Sequence, residues 1–212
     1  PQYRGSKGYG KRFYQIAFSN GGQGGYKMQD DKDDGVAWAV ADGLASSDRV
    51  AMFGWSYGGY AALVAASRTP QIYQCVIAGA AVTDPEMQVN YYRYRLRGRS
   101  KVEQLRMWDD SVAPIDEVEQ VNVPILLIHG TVDQRVPLDH AKKYRRALLR
   151  AEKDHRYLEL KGADHFSNTL FFDHKLSLYS SILDYLSDDC GSETATAAAN
   201  RKSTSARDAP HL

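Results

Sequence analysis

Two apolar patterns alternate along the chain. Residues 49–53, 73–80 and 124–129 are short apolar runs with little alternation, and residues 156–160 alternate through Tyr157-Leu158-Glu159-Leu160. Short runs without alternation predict strands covered on both faces, and so a parallel sheet. Segments of helical spacing lie between them. Residues 28–44 place Val36, Ala39, Val40 and Leu44 on one side, with Asp30, Asp31 and Asp33 in the first turns, where acids complement the helix dipole. Residues 57–66 form a small-residue helix, residues 137–153 an amphipathic one with Pro137 at its start, and residues 168–186 a last one with Leu178, Ile182 and Leu186 at i+4 spacing. Strands alternating with helices predict an α/β fold, a mostly parallel sheet with helices on both faces. Residues 1–25 read as Gly- and Tyr-rich loop with short elements, and 82–100 show no clear period. From Cys190 onward Ser, Thr, Ala, Asn and scattered charge dominate, so residues 190–212 are expected to be a disordered tail after a domain spanning 1–189.

Composition narrows the classes. Hydrophobic residues make up 43% of the 212 and charged residues 25%, enough apolar material for one globular core. The net charge of +1 supplies no field to gather nucleic acid or an anionic membrane, and the basic stretch 91–101 reads as a solvated face. No run approaches the ~20 apolar residues a membrane span needs. Residues 1–10 show no signal-peptide core and no initiator Met, which leaves the compartment open between cytoplasm and periplasm. The two cysteines suggest neither a disulfide framework nor a metal site: Cys75 reads as a small buried hydrophobe and Cys190 as part of the tail.

The candidate chemistry begins at Gly54-Trp55-Ser56-Tyr57-Gly58-Gly59-Tyr60, which follows a predicted strand and opens a helix of small residues. Gly-x-Ser-x-Gly in a strand–turn–helix setting is a nucleophile elbow: the turn is sharp, and glycines let strand and helix approach without Cβ clashes. A serine hydroxyl needs a base, and in hydrolases of this type the chain order is Ser, acid, His. Six histidines compete. His129 ends a strand and reads as structural; His140, His155 and His174 lie on or beside helices and read as surface; His211 is in the tail. His165 lies between the last strand and last helix, at the same edge of the sheet as Ser56. The acid follows the preceding strand at Asp133, four residues past His129. Asp84 reads more simply as a helix cap, Asp164 adjoins His165 too closely in the chain, and Asp109 and Asp110 lack a strand context.

Four segments resemble the prolyl oligopeptidase family: Tyr3-Arg4-Gly5-Ser6-Lys7-Gly8-Tyr9-Gly10, Gln29-Asp30-Asp31, the Ser56 motif, and His129-Gly130-Thr131-Val132-Asp133-Gln134-Arg135-Val136-Pro137. They are most similar to the acylaminoacyl-peptidase and dipeptidyl-aminopeptidase-like branch. The resemblance runs from residue 1 to about 186. It implies an α/β-hydrolase fold, a triad of Ser56, Asp133 and His165, and hydrolysis of peptide or acyl-peptide bonds through an acyl-enzyme without metal or cofactor. It also implies that the Tyr57 amide faces the oxyanion, and that Tyr9 either supplies a second oxyanion donor or packs under its loop. Trp55, Tyr91 and Tyr92 either wall the substrate pocket, beside Tyr94, or pack. In the family a β-propeller precedes the hydrolase domain. Neither a propeller nor the family's His-Gly-Gly-Pro-like loop is found here, and four strands are counted, so the chain looks like the C-terminal part of a larger peptidase with room for a homo-oligomer. The strand before Ser56 would then lie at an apolar, unpaired edge. A carboxylesterase using the same triad, or an inert fragment that binds another chain, are the alternatives.

Overall fold

The computed structural model describes residues 2–18, 27–108 and 111–190. In chain order the elements are α1 (Lys11–Gln15), a 3₁₀ turn (Ile16–Phe18), α2 (Lys27–Ala41), β1 (Ala51–Trp55), α3 (Tyr57–Ser67), β2 (Cys75–Gly79), α4 (Pro85–Arg93) and α5 (Gly98–Trp108). A 3₁₀ segment (Pro114–Gln120), β3 (Ile125–Gly130), α6 (Asp139–Arg150), β4 (His155–Leu160), a 3₁₀ turn (Ser167–Thr169) and α7 (Phe172–Asp188) complete the chain. The strands pair in the order β1-β2-β3-β4, all parallel, with Ala51 opposite Cys75, Val76 opposite Ile125 and Ile125 opposite His155.

The continuous apolar strands are explained by burial on both sides. Val76, Ala78, Ile125 and Leu127 face Leu63 and Ala66 of α3 and Tyr144 and Leu148 of α6. The intervening Cys75, Ile77, Leu126 and Ile128 face Leu178 and Tyr185 of α7. This is the α/β arrangement expected from the pattern. β1 stands at a sheet edge, and Phe53 on it is 54% exposed. The outer side of α7 leaves Leu176, Tyr179 and Leu183 exposed.

Several boundaries differ from the sequence reading. α2 stops at Ala41 because Gly43 adopts φ 72°, and the amides of Gly43 and Leu44 turn back to the carbonyls of Val40 and Ala39 at 3.1 and 2.9 Å. The aperiodic stretch 82–100 contains α4, capped by Asp84, whose carboxylate accepts the Met87 amide at 3.0 Å with Pro85 at the first helical position. α7 turns Tyr185 inward beside Leu178 and leaves Leu186 at 39% exposure.

The cysteine reading is corrected. Cys75 and Cys190 form a disulfide, with Cα atoms 5.3 Å apart across 115 residues. α7 packs along β3 and β4 and carries Cys190 back to the buried Cys75 on the same face of the sheet. No linear spacing reveals that return. Residues 191–212, the rest of the expected tail, lie outside the described residues. His140 is also corrected: it is buried, not on the surface, because the first turn of α6 packs against the loop after β2, where the Thr83 amide donates to its Nδ1 at 3.2 Å. No described helix is long and apolar enough to cross a membrane.

Candidate active site

Parallel strands deliver all the following loops to one edge of the sheet. Ser56 leaves β1 at φ 61°, ψ −116°, a left-handed conformation strained for a residue with a Cβ. Gly54 makes the turn feasible: a Cβ there would sit 2.0 Å from the Gly58 carbonyl oxygen. The Ser56 amide is tied to the Gly79 carbonyl of β2 at 2.8 Å, so the turn is held against the sheet rather than free to relax.

The loops after β3 and β4 are stitched together. Thr131 donates its amide to the Leu160 carbonyl at 3.0 Å and Val132 to the Ala163 carbonyl at 3.1 Å. The Thr131 hydroxyl accepts the Gly162 amide at 2.7 Å. Asp164 is used locally, accepting the Phe166 amide and the Thr169 hydroxyl. On the nucleophile side, Trp55 donates its indole N–H to the His165 carbonyl at 2.7 Å.

These ties bring Ser56, Asp133 and His165 together. His165 Nδ1 lies 2.8 Å from Asp133 Oδ2, and His165 Nε2 lies 2.8 Å from Ser56 Oγ. A carboxylate only accepts, so Nδ1 carries the ring proton and Nε2 is left to accept from the serine hydroxyl. Asp133 is buried, and its Oδ1 accepts the amides of Arg135 and Val136, each at 2.8 Å. Burial opposes its charge, but the His129 ring nitrogen 3.5 Å away and hydrogen bonds from His165 and the Val136 amide outweigh it and hold the carboxyl well below its usual range. The aspartate is thus an ionised, oriented acceptor.

A cavity of about 460 Å³ opens over Ser56 and His165. Trp55 and Tyr92 line it, as does Tyr57, the first residue of α3. The Tyr57 phenol points into the interior, where burial raises its pKa and Gln29 donates to its oxygen at 3.3 Å. Two expected site residues stand elsewhere. Tyr91 is outside the cavity lining: its hydroxyl donates to the Gln134 carbonyl at 2.7 Å and the Arg95 guanidinium lies 3.9 Å from its ring centroid. Tyr9 is 59% exposed, packs on Phe13, and lines a separate cavity with Arg4 and Asp31. The Arg4–Asp31 ion pair fastens its loop to α2, and Tyr9 is not among the described residues lining the cavity over Ser56, an arrangement that fits the packing alternative. The sequence reading missed Trp108, Arg135 and Phe166 in the lining. Trp108 arrives at the end of α5, past the aperiodic stretch 82–100 and in a stretch to which the sequence pattern assigns no element. Arg135, the single Lys or Arg among the described lining residues, lies within the Asp133 motif, where adjacency to the acid was the available signal.

The prolyl oligopeptidase family matches residues 1–193. The chain belongs to that family. Among curated relatives it is 33% identical over 146 residues to dipeptidyl aminopeptidase BIII of Pseudoxanthomonas mexicana, covering 63% of this chain and 20% of that protein. It is also 33% identical over 167 residues to dipeptidyl peptidase family member 6 of Caenorhabditis elegans, covering 72% and 21%. The chain therefore spans about a fifth of the length of these relatives. Among solved structures, Pyrococcus horikoshii acylaminoacyl peptidase superposes with a TM-score of 0.76 at 20% identity, over 90% of this chain and 32% of that one. A Mycobacterium tuberculosis puromycin-hydrolyzing peptidase gives 0.73 at 21% identity, over 90% and 29%. These likenesses establish the α/β-hydrolase type of fold.

Proposed function

We propose that this chain is a serine-type peptidase domain that hydrolyses peptide or acyl-peptide bonds through an acyl-enzyme. The observation that carries the reading is the pair of 2.8 Å contacts linking Ser56 to His165 and His165 to Asp133. His165 takes the Ser56 proton as Oγ attacks the substrate carbonyl, then gives it to the leaving amine. Asp133 holds the ring in the required tautomer and stabilises the imidazolium. Water repeats the cycle and releases the acid. The Tyr57 amide, beside the nucleophile at the start of α3, is the proposed oxyanion donor, and a donor of this kind contributes about 2.7–4 kcal/mol. Trp55, Tyr92 and Trp108 supply an apolar wall for the substrate side chain.

The names of the relatives favour peptides as substrates. Residues 1–189 are proposed as the catalytic unit, to which the disulfide fastens Cys190. A β-propeller partner and association of copies are further proposals, to be checked by the mass of the full-length protein and of its complexes in solution. The functional test is turnover of matched chromogenic peptide and ester substrates by wild type and Ser56→Ala. Peptide hydrolysis abolished in Ser56→Ala supports the reading. Ester turnover alone indicates a carboxylesterase, and unchanged peptide turnover in the variant refutes the assignment.

A further inference from the structure

His129 is buried at the end of β3 and takes no part in the mechanism above. Its Nε2 lies 2.9 Å from the Val136 carbonyl oxygen and 3.5 Å from Asp133 Oδ2. Both neighbours are acceptors, so in the neutral ring Nε2 carries the proton and turns its positive end toward them. Val136 joins the two sides of this arrangement. Its amide holds Asp133 Oδ1, while its carbonyl takes the His129 proton next to Oδ2. One side of the carboxylate is therefore set by two backbone amides, and the other is shared between His165, the reacting partner, and His129.

We propose that His129 is a positioning residue: its Nε2–H fixes the Asp133 carboxylate and draws electron density from Oδ2, which limits how strongly Asp133 holds the proton of His165. This rests on the reading of Ser56, His165 and Asp133 as the triad. The other charged and titratable groups near the acid are Asp164, in the loop after β4, Tyr92 of α4, and Arg135, whose guanidinium lies over the Phe166 ring. On the α6 side is His140, itself next to Asp84 and Lys143. The side chains of Asp164, Tyr92, Arg135 and His140 make no hydrogen bond to Asp133 among the described contacts, which leaves His129 as the ring beside Oδ2 besides His165.

The test is the pH dependence of kcat/KM on a chromogenic peptide, with the His165 ring titrated in parallel by NMR, in wild type, His129→Phe and His129→Gln. Phenylalanine fills the site without a donor; glutamine reaches far enough to place an amide N–H near the Nε2 position. His129→Phe is expected to raise the acid limb and the His165 titration together by about half a unit, roughly threefold in rate well below the limb. KM should stay unchanged, because His129 does not line the cavity. Glutamine should restore both readouts. If the phenylalanine variant does not fold, His129→Asn, whose amide is too short to reach the Nε2 position, carries the same expectation. A folded donor-less variant with the wild-type limb and His165 titration overturns the proposal, leaving His129 a purely structural residue. Failure of the triad reading looks different: wild-type turnover would survive Ser56→Ala, or His165 would titrate identically in wild type and Asp133→Asn.

Discussion

Removing the Cys75–Cys190 bond should expose how much of the domain depends on the return of α7 to the sheet. The bond closes a loop of 115 residues. In the chain-entropy description, the denatured state regains about 2.1 + 1.5R ln n cal/mol/K, which for this loop is about 4.8 kcal/mol at 25 °C. Whole domains are stable by only about 5–15 kcal/mol, so the loss is a large share. Reduction of the wild-type protein is the cleaner perturbation, since substituting the buried Cys75 adds a packing defect. The assay is urea unfolding followed by circular dichroism, with and without reductant, preceded by thiol titration of the denatured, unreduced chain. No free thiol should be found, and the midpoint should fall markedly on reduction. Expression in a reducing cytosol should produce the less stable form. Two free thiols in the native preparation, or superimposable unfolding curves, would refute the reasoning.

Other predictions follow from the site and its supports. Asp133→Asn should leave the fold intact and lower kcat by about 10⁴-fold, because an amide favours the wrong His165 tautomer; steady-state kinetics on a chromogenic peptide would show it. Gly54→Ala should cost about 3 kcal/mol or more, or prevent folding, because the new Cβ meets the Gly58 carbonyl at 2.0 Å; thermal unfolding reads this directly. His140 is pushed down to about 3 by burial and by His129, so the folded state favours the neutral ring. Its contribution to stability is present above the ordinary value of 6.5 and is lost as pH falls from there toward about 3. His140→Leu should flatten stability against pH across that window, measured by urea midpoints at several pH values.

The strands were legible because β2 and β3 are buried at every position and apolar throughout except for His129, and only burial on both faces tolerates that pattern. The elbow was legible because Gly54-x-Ser56-x-Gly58 joins a strand to a helix, and the geometry of that junction demands small residues. Parallel topology then restricted the acid and base to loops after β3 and β4, where Asp133 and His165 stand. Features that depend on distant packing were not legible. Cys190 meets Cys75 only because α7 packs along the sheet, and Trp108 reaches the cavity only because α5 folds toward Ser56. His140 looked exposed because it lies on a helix, yet it sits on the inner side of α6. For Tyr9 the local motif left donor and packing open, and only the structure shows it packed on Phe13 in a loop tied to α2 by the Arg4–Asp31 pair.

The central claim is that Ser56 is an activated nucleophile driven by His165 and Asp133. Intact-mass measurement after brief exposure to a fluorophosphonate, with peptide mapping of the adduct, tests it most directly. The account predicts one adduct per chain, located on Ser56, and its loss in His165→Ala. Folded wild-type protein that takes up no label, or takes it up on another residue, would contradict it.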